Sequence, residues 1–171
     1  MQERSDVFTF GGKPFTLLGP ELKVGDTAPE VTVLANDLSP VQLSSYKGKI
    51  CVVSVVTSLD TGTCDIQTRK FNEEAGNLAE NVVILTISAD LPFAQARWCG
   101  AAGVDKVVTL SDYRDVAFGE AFGVLIKELR LLARSVFVVD QNGAIQYIQL
   151  VKEGTGEPDY TAALEAVKKL V

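Results

Sequence analysis

The chain has 171 residues, 47% hydrophobic and 22% charged, a balance that suits one folded globular domain rather than a disordered segment. Its net charge of −6 and the lack of any Lys/Arg cluster argue against a nucleic-acid footprint. It contains no histidine, which removes Ser/His and Cys/His catalytic pairs and the common zinc sites, so any nucleophilic chemistry falls to Cys, Lys, Tyr or carboxylates.

In chain order, residues 7–10 and 15–18 are two apolar runs around Gly11-Gly12-Lys13-Pro14, and they predict an N-terminal β-hairpin within residues 1–19. A turn-rich connection at 23–29 leads to a short strand at 30–34, a partner at 41–43, and a helical turn at 44–47 closed by Gly48. Residues 50–56 (ICVVSVV) form a continuous β-branched run, as expected of a central strand covered on both faces; 82–88, 107–110 and 136–139 have the same character. Helix-length segments lie at 64–78, 92–102 and 115–122, with Pro92 suited to a first helical turn. Asp140-Gln141-Asn142-Gly143 predicts a hairpin joining strands 135–139 and 145–151, and a helix at 160–170 ends the chain. This order predicts an α/β protein with a mixed central sheet flanked by helices, as in the thioredoxin fold.

No segment reaches the ~18 consecutive apolar residues of a membrane helix. The N-terminal residues have no apolar export core, so a cytoplasmic protein is expected. Three cysteines in such a compartment are reactive or buried rather than a disulfide framework, and with no C-x-x-C pair they make no metal site. Neither metal nor organic cofactor is expected.

Cys51 lies inside the apolar run and reads as a small core residue. Cys64 closes the segment Ser58-Leu59-Asp60-Thr61-Gly62-Thr63-Cys64, which follows a buried strand and opens a helix. Free amides and the positive end of the helix dipole favour a thiolate there. Cys64, Phe71, Ala75 and Leu78 share one helical face, so the thiol is expected in a sheltered pocket. Position alone leaves both a catalytic thiolate and an inert core cysteine open. Cys99 sits in a Gly/Ala-rich helix end that unwinds easily, and by itself reads as a packed helix residue.

The segment from Ser58 to Cys64, continuing Asp65-Ile66-Gln67-Thr68-Arg69-Lys70-Phe71-Asn72, resembles the bacterial thiol peroxidase subfamily of peroxiredoxins. So do Ser88-Ala89-Asp90-Leu91-Pro92 leading to Cys99, the run from Leu132 through Arg134 to Asp140, and Glu157-Pro158-Asp159-Tyr160. The resemblance spans essentially the whole chain. It implies an atypical two-cysteine peroxiredoxin with Cys64 as the peroxidatic and Cys99 as the resolving cysteine. In that scheme Thr61 holds sulfur and peroxide through its hydroxyl, and Arg134 stabilises the thiolate and the polarised O–O bond. Implied partners are a hydroperoxide substrate, thioredoxin as reductant, and a second copy in a homodimer. The subfamily has proline four residues before the motif threonine; here that position is Thr57. A general thiol–disulfide oxidoreductase, a peroxide sensor and a non-catalytic binding module are the competing readings.

Overall fold

The computed structural model describes residues 1–171. A seven-stranded sheet runs in the order β11-β10-β5-β6-β7-β3-β4. At its centre β5 (Ile50–Val55), β6 (Val82–Ser88) and β7 (Val108–Ser111) are parallel. On one side β10 (Ser135–Val139) pairs antiparallel with both β5 and β11 (Ile145–Leu150). On the other, β3 (Thr32–Leu34) pairs antiparallel with β7 and β4 (Pro40–Gln42).

Every residue of β5 is buried, because the strand is covered on both faces. Ile50 and Val52 point to a core shared with Phe71, Val136, Val138, Ala163 and Val167. Cys51, Val53 and Val55 point the other way, to a larger core that includes Phe8, Leu17, Phe118 and Phe122. Each fully buried Val or Ile here contributes roughly 1.5–3 kcal/mol. The first face carries α1 (Gly62–Ala75), α2 (Pro92–Ala102) and α4 (Tyr160–Lys168). The second carries the short α3 (Ala117–Ala121) and a second sheet.

That second sheet has the order β1-β2-β8-β9, from β1 (Glu3–Phe10), β2 (Lys13–Leu18), β8 (Leu125–Ile126) and β9 (Leu131–Leu132). The hairpin expected at the N-terminus is present and longer than its apolar residues indicated. Phe10 pairs with Lys13, and the two linking residues, Gly11 and Gly12, both have positive φ (59° and 77°), as a type I′ turn requires. Strands β8 and β9 were not expected from sequence. They are two residues each, and their pairing depends on β2 more than a hundred positions away.

Several boundaries differ from expectation. The first helix begins at Gly62 rather than Cys64 and ends at Ala75 rather than Leu78, because the amides of residues 76–78 bond three residues back in tightened turns, as Asn77 N does to Glu74 O at 2.9 Å. The segment at 115–122 forms only five helical residues; Val116 adopts φ +48° and the buried Asp112 carboxylate caps the helix, accepting from Phe118 N at 2.9 Å and Gly119 N at 2.8 Å. Strand β6 and helix α2 have the expected limits.

Candidate active site

Cys64 is the third residue of α1, in the turn whose amides have no intrahelical acceptor. It is fully buried and packs with Val56 and Leu59, with the partly buried Trp98 alongside. The segment leading to it is pinned by Asp90, whose carboxylate accepts from Ser58 Oγ (2.7 Å), Leu59 N (2.8 Å) and Ser88 Oγ (2.7 Å). Asp90 thereby fixes the loop between β5 and α1 to the end of β6.

Thr61 occupies the N-cap position of α1, yet its side chain caps no amide. Its hydroxyl donates to Ser58 O at 2.8 Å, tightening the turn before the helix. Thr57 is buried, and its hydroxyl donates to Leu132 O at 3.0 Å, joining the end of β5 to β9. The Thr57 hydroxyl is therefore spent on a backbone carbonyl.

Arg134, which could have been a solvated charge at a strand end, is 1% exposed. Its Nε and Nη2 donate to Gly154 O (3.1 and 2.9 Å), and Nη1 donates to Gln67 Oε1 (2.8 Å). No carboxylate forms an ion pair with it. A buried cation satisfied only by neutral oxygens is costly and gains from a nearby anion. Gln67 lies one turn after Cys64 on the same buried face of α1, so the guanidinium meets the helix one turn from the thiol. Gln67 Nε2 donates in turn to Ser54 Oγ at 2.8 Å. Neither Thr61 nor Arg134 hydrogen-bonds the Cys64 sulfur in this closed, reduced arrangement.

The two nearby acids, which would oppose a thiolate if free, are both engaged. Asp65 accepts from Arg69 Nε (2.8 Å) and Trp98 Nε1 (3.0 Å), while Asp60 lies 3.9 Å from Arg97. Cys99 is on α2, and its sulfur lies 3.7 Å from Thr109 Oγ1. Burial pushes the Cys99 thiol up, partly offset by that hydroxyl. All three cysteines are unbridged. Cys51 lies on the opposite face of the sheet, at an apolar cavity of about 350 Å³ with Val53, Leu85, Phe122 and Val139, and desolvation raises its thiol to about 11.

Sequence reasoning missed Gln67, Asp90 and Gly154. A signal existed for Gln67: at three residues after Cys64 it falls inside the apolar stripe drawn through Phe71, where a polar side chain needs a buried partner. Asp90 and Gly154 act through tertiary contacts that no local pattern encodes.

Comparison with known proteins agrees with this geometry. The redoxin family pattern matches residues 23–164. The chain is 62% identical over 163 residues to the thiol peroxidase of Bacillus subtilis (strain 168), covering 95% of this chain and 97% of that one. The chain belongs to the redoxin family, among its thiol peroxidases. The thiol peroxidase of Listeria innocua is 59% identical over 161 residues, covering 94% of this chain and 97% of that one. Among solved structures, a peroxiredoxin-like protein from Aquifex aeolicus superposes with a TM-score of 0.91 at 40% identity, with full coverage of both chains. A thiol peroxidase from Chromobacterium violaceum shares the fold with a TM-score of 0.86 at 17% identity, covering 99% of this chain and 98% of that one. The thioredoxin-like architecture expected from element order is thus the fold of this redoxin. No helix is long and apolar enough to cross a membrane.

Proposed function

We propose that this redoxin is a thiol-dependent peroxidase, with Cys64 as the peroxidatic cysteine and Cys99 as the resolving one. The observation that carries the reading is the buried Arg134 guanidinium, hydrogen-bonded only to neutral oxygens and held through Gln67 one turn from a cysteine in the first turn of α1. Helix amides, dipole and guanidinium are the groups placed to stabilise negative charge on the attacking sulfur.

In the first step the Cys64 thiolate attacks the terminal oxygen of a hydroperoxide. The O–O bond breaks, Cys64 becomes a sulfenic acid, and the departing alkoxide or hydroxide takes a proton to leave as alcohol or water. Arg134 stabilises the charge that moves from sulfur to the leaving oxygen, and Thr61 Oγ1 turns from Ser58 O to the reacting oxygens. In the second step Cys99 sulfur attacks the sulfenic sulfur, releasing water and forming a Cys64–Cys99 disulfide. Thioredoxin, a dithiol, reopens that bond by exchange and is itself oxidised.

Cys99 faces Thr109 while Trp98 stands beside Cys64, so the second step requires the end of α2 to unwind. The sequence Gly100-Ala101-Ala102-Gly103 and the αL residue Gly103 (φ +66°) suit that change. Exposed Leu91, Phe93 and Tyr113 around the Asp90 turn support assembly as a homodimer, and a cytoplasmic setting would supply thioredoxin.

The test is peroxide consumption with thioredoxin, its reductase and NADPH, on protein whose mass is read by sedimentation. Wild type is expected to turn over as two chains, and Cys64→Ser to lose activity by more than about a thousandfold. Insulin reduction without peroxide turnover would instead favour a general oxidoreductase, and activity retained in Cys64→Ser would overturn the assignment.

A further inference from the structure

Glu153 lies in the loop after β11 and touches neither cysteine. Its carboxylate accepts five hydrogen bonds: from Thr9 Oγ1 (2.7 Å), Gly11 N (2.8 Å), Gly12 N (3.0 Å), Thr155 Oγ1 (2.9 Å) and Thr155 N (3.2 Å). These bonds tie the turn of the N-terminal hairpin to the loop. Backbone bonds add to the tie: Thr9 N donates to Lys152 O at 2.7 Å and Gly154 N to Thr9 O at 2.8 Å. Gly154 lies so close to the hairpin that a Cβ there would come within 2.5 Å of Phe10 and 2.7 Å of Phe8.

The two residues that follow this anchor both reach the candidate active site. Gly154 O takes two of the three hydrogen bonds that Arg134 makes. Thr155 O accepts from Thr63 Oγ1 at 3.2 Å, in the residue before Cys64. Hydrogen bonds from Thr9, the largest cause, Gly12 and Thr155 hold the Glu153 carboxyl ionised, with its pKa lowered to about 2.

We propose that Glu153 is a positioning residue for the peroxidase reaction: by clamping the 152–156 loop to the N-terminal hairpin, it aims the Gly154 carbonyl that orients Arg134 toward Cys64. The inference rests on the proposed pairing of Arg134 with the Cys64 thiolate. It gives the N-terminal hairpin a role, as the fixed wall against which the loop is set.

The sign of the effect separates this role from simple electrostatics. The charged groups around the site are Arg134, Glu157 with its partners Lys70 and Tyr160, Asp65 with Arg69, Asp60 with Arg97, and Glu153 itself. Through space, removing the negative charge of Glu153 would favour the thiolate and lower the thiol pKa. Loss of the clamp would misplace the cation and raise it.

The test uses the full chain with Cys51→Ser and Cys99→Ser, so that Cys64 is the single thiol. The pH midpoint of Cys64 alkylation by iodoacetamide and the single-turnover rate of sulfenic acid formation are read in Glu153→Ala, Thr9→Val and Arg134→Gln. Glu153→Ala is expected to raise the midpoint by about one unit and slow the peroxide step about tenfold. Thr9→Val, which removes one of the five donors and leaves the carboxylate, is expected to move both in the same direction by less. A midpoint that is unchanged or lowered in Glu153→Ala, while Arg134→Gln raises it, overturns the clamp and leaves the Arg134 reading intact. An unchanged midpoint in Arg134→Gln overturns that reading and the clamp together. If Glu153→Ala does not fold, Thr9→Val decides, and an unchanged midpoint there overturns the clamp.

Discussion

Thr57 stands where the resemblance implies a proline, and the structure shows where its hydroxyl goes. A threonine in place of proline brings a hydroxyl and a flexible φ next to the reactive loop. The hydroxyl is buried and bonded to Leu132 O, so it stabilises the junction of β5 and β9 and does not face the sulfur. Thr57→Val keeps the shape and leaves the carbonyl without that donor. It is expected to lower unfolding free energy by about 1 kcal/mol and to change kcat/KM for peroxide less than about twofold. Urea unfolding and initial rates check the two halves, and a tenfold loss of kcat/KM would bring the hydroxyl into the reaction. The same scale limited the sequence reading. The roles expected of Cys64, Cys99, Thr61 and Arg134 came from the resemblance of the segments around them, since position alone left Cys64 open and made Cys99 a packed helix residue. What holds Arg134 could not be read that way, because Gln67 and Gly154 converge on it from α1 and from the loop after β11.

At the scale of elements, the proposed second step turns on the junction of α1 and α2. Asp65, the residue after Cys64, accepts from Trp98 Nε1; Arg69 bonds Asp65 and Ala102 O, and its guanidinium lies 5.6 Å from the Trp98 ring centre. Together these contacts form a latch that keeps the end of α2 folded and Cys99 turned toward Thr109. A closed latch delays resolution, and every moment before resolution exposes the Cys64 sulfenic acid to a second peroxide and to sulfinic acid. Asp65→Asn removes the ion pair and weakens the tryptophan bond. It is expected to speed disulfide formation about three- to tenfold and to reduce sulfinic acid at high peroxide. Trp98 is the only tryptophan, so stopped-flow fluorescence reads the step directly. Slower resolution in the variant would contradict the latch. Helix α2 itself was legible in sequence, with Pro92 at its start and Gly103 at its end. Strands β8 and β9 were not, since two-residue strands carry no periodicity and form only because β2 offers an edge.

Across the whole molecule, the sheet separates the two cysteines proposed to react from Cys51. Cys64 and Cys99 lie on the helices of one face, while Cys51 points into the apolar core of the other, where burial keeps its thiol protonated. The alternation of β5 explains this: with period two, Cys51 follows Val53 and Val55, and Ile50 and Val52 take the helical face. The second sheet then buttresses the arrangement from behind, through the hairpin and the loop that holds Arg134. The central claim is that peroxide oxidation travels from Cys64 to Cys99 and leaves Cys51 untouched. Mass spectrometry of peptides after one equivalent of hydroperoxide tests it, on wild type and on Cys99→Ser. The expected result is a Cys64–Cys99 disulfide in wild type and a sulfenic acid at Cys64 in the variant. Oxidation at Cys51, or an unmodified Cys64, would contradict it.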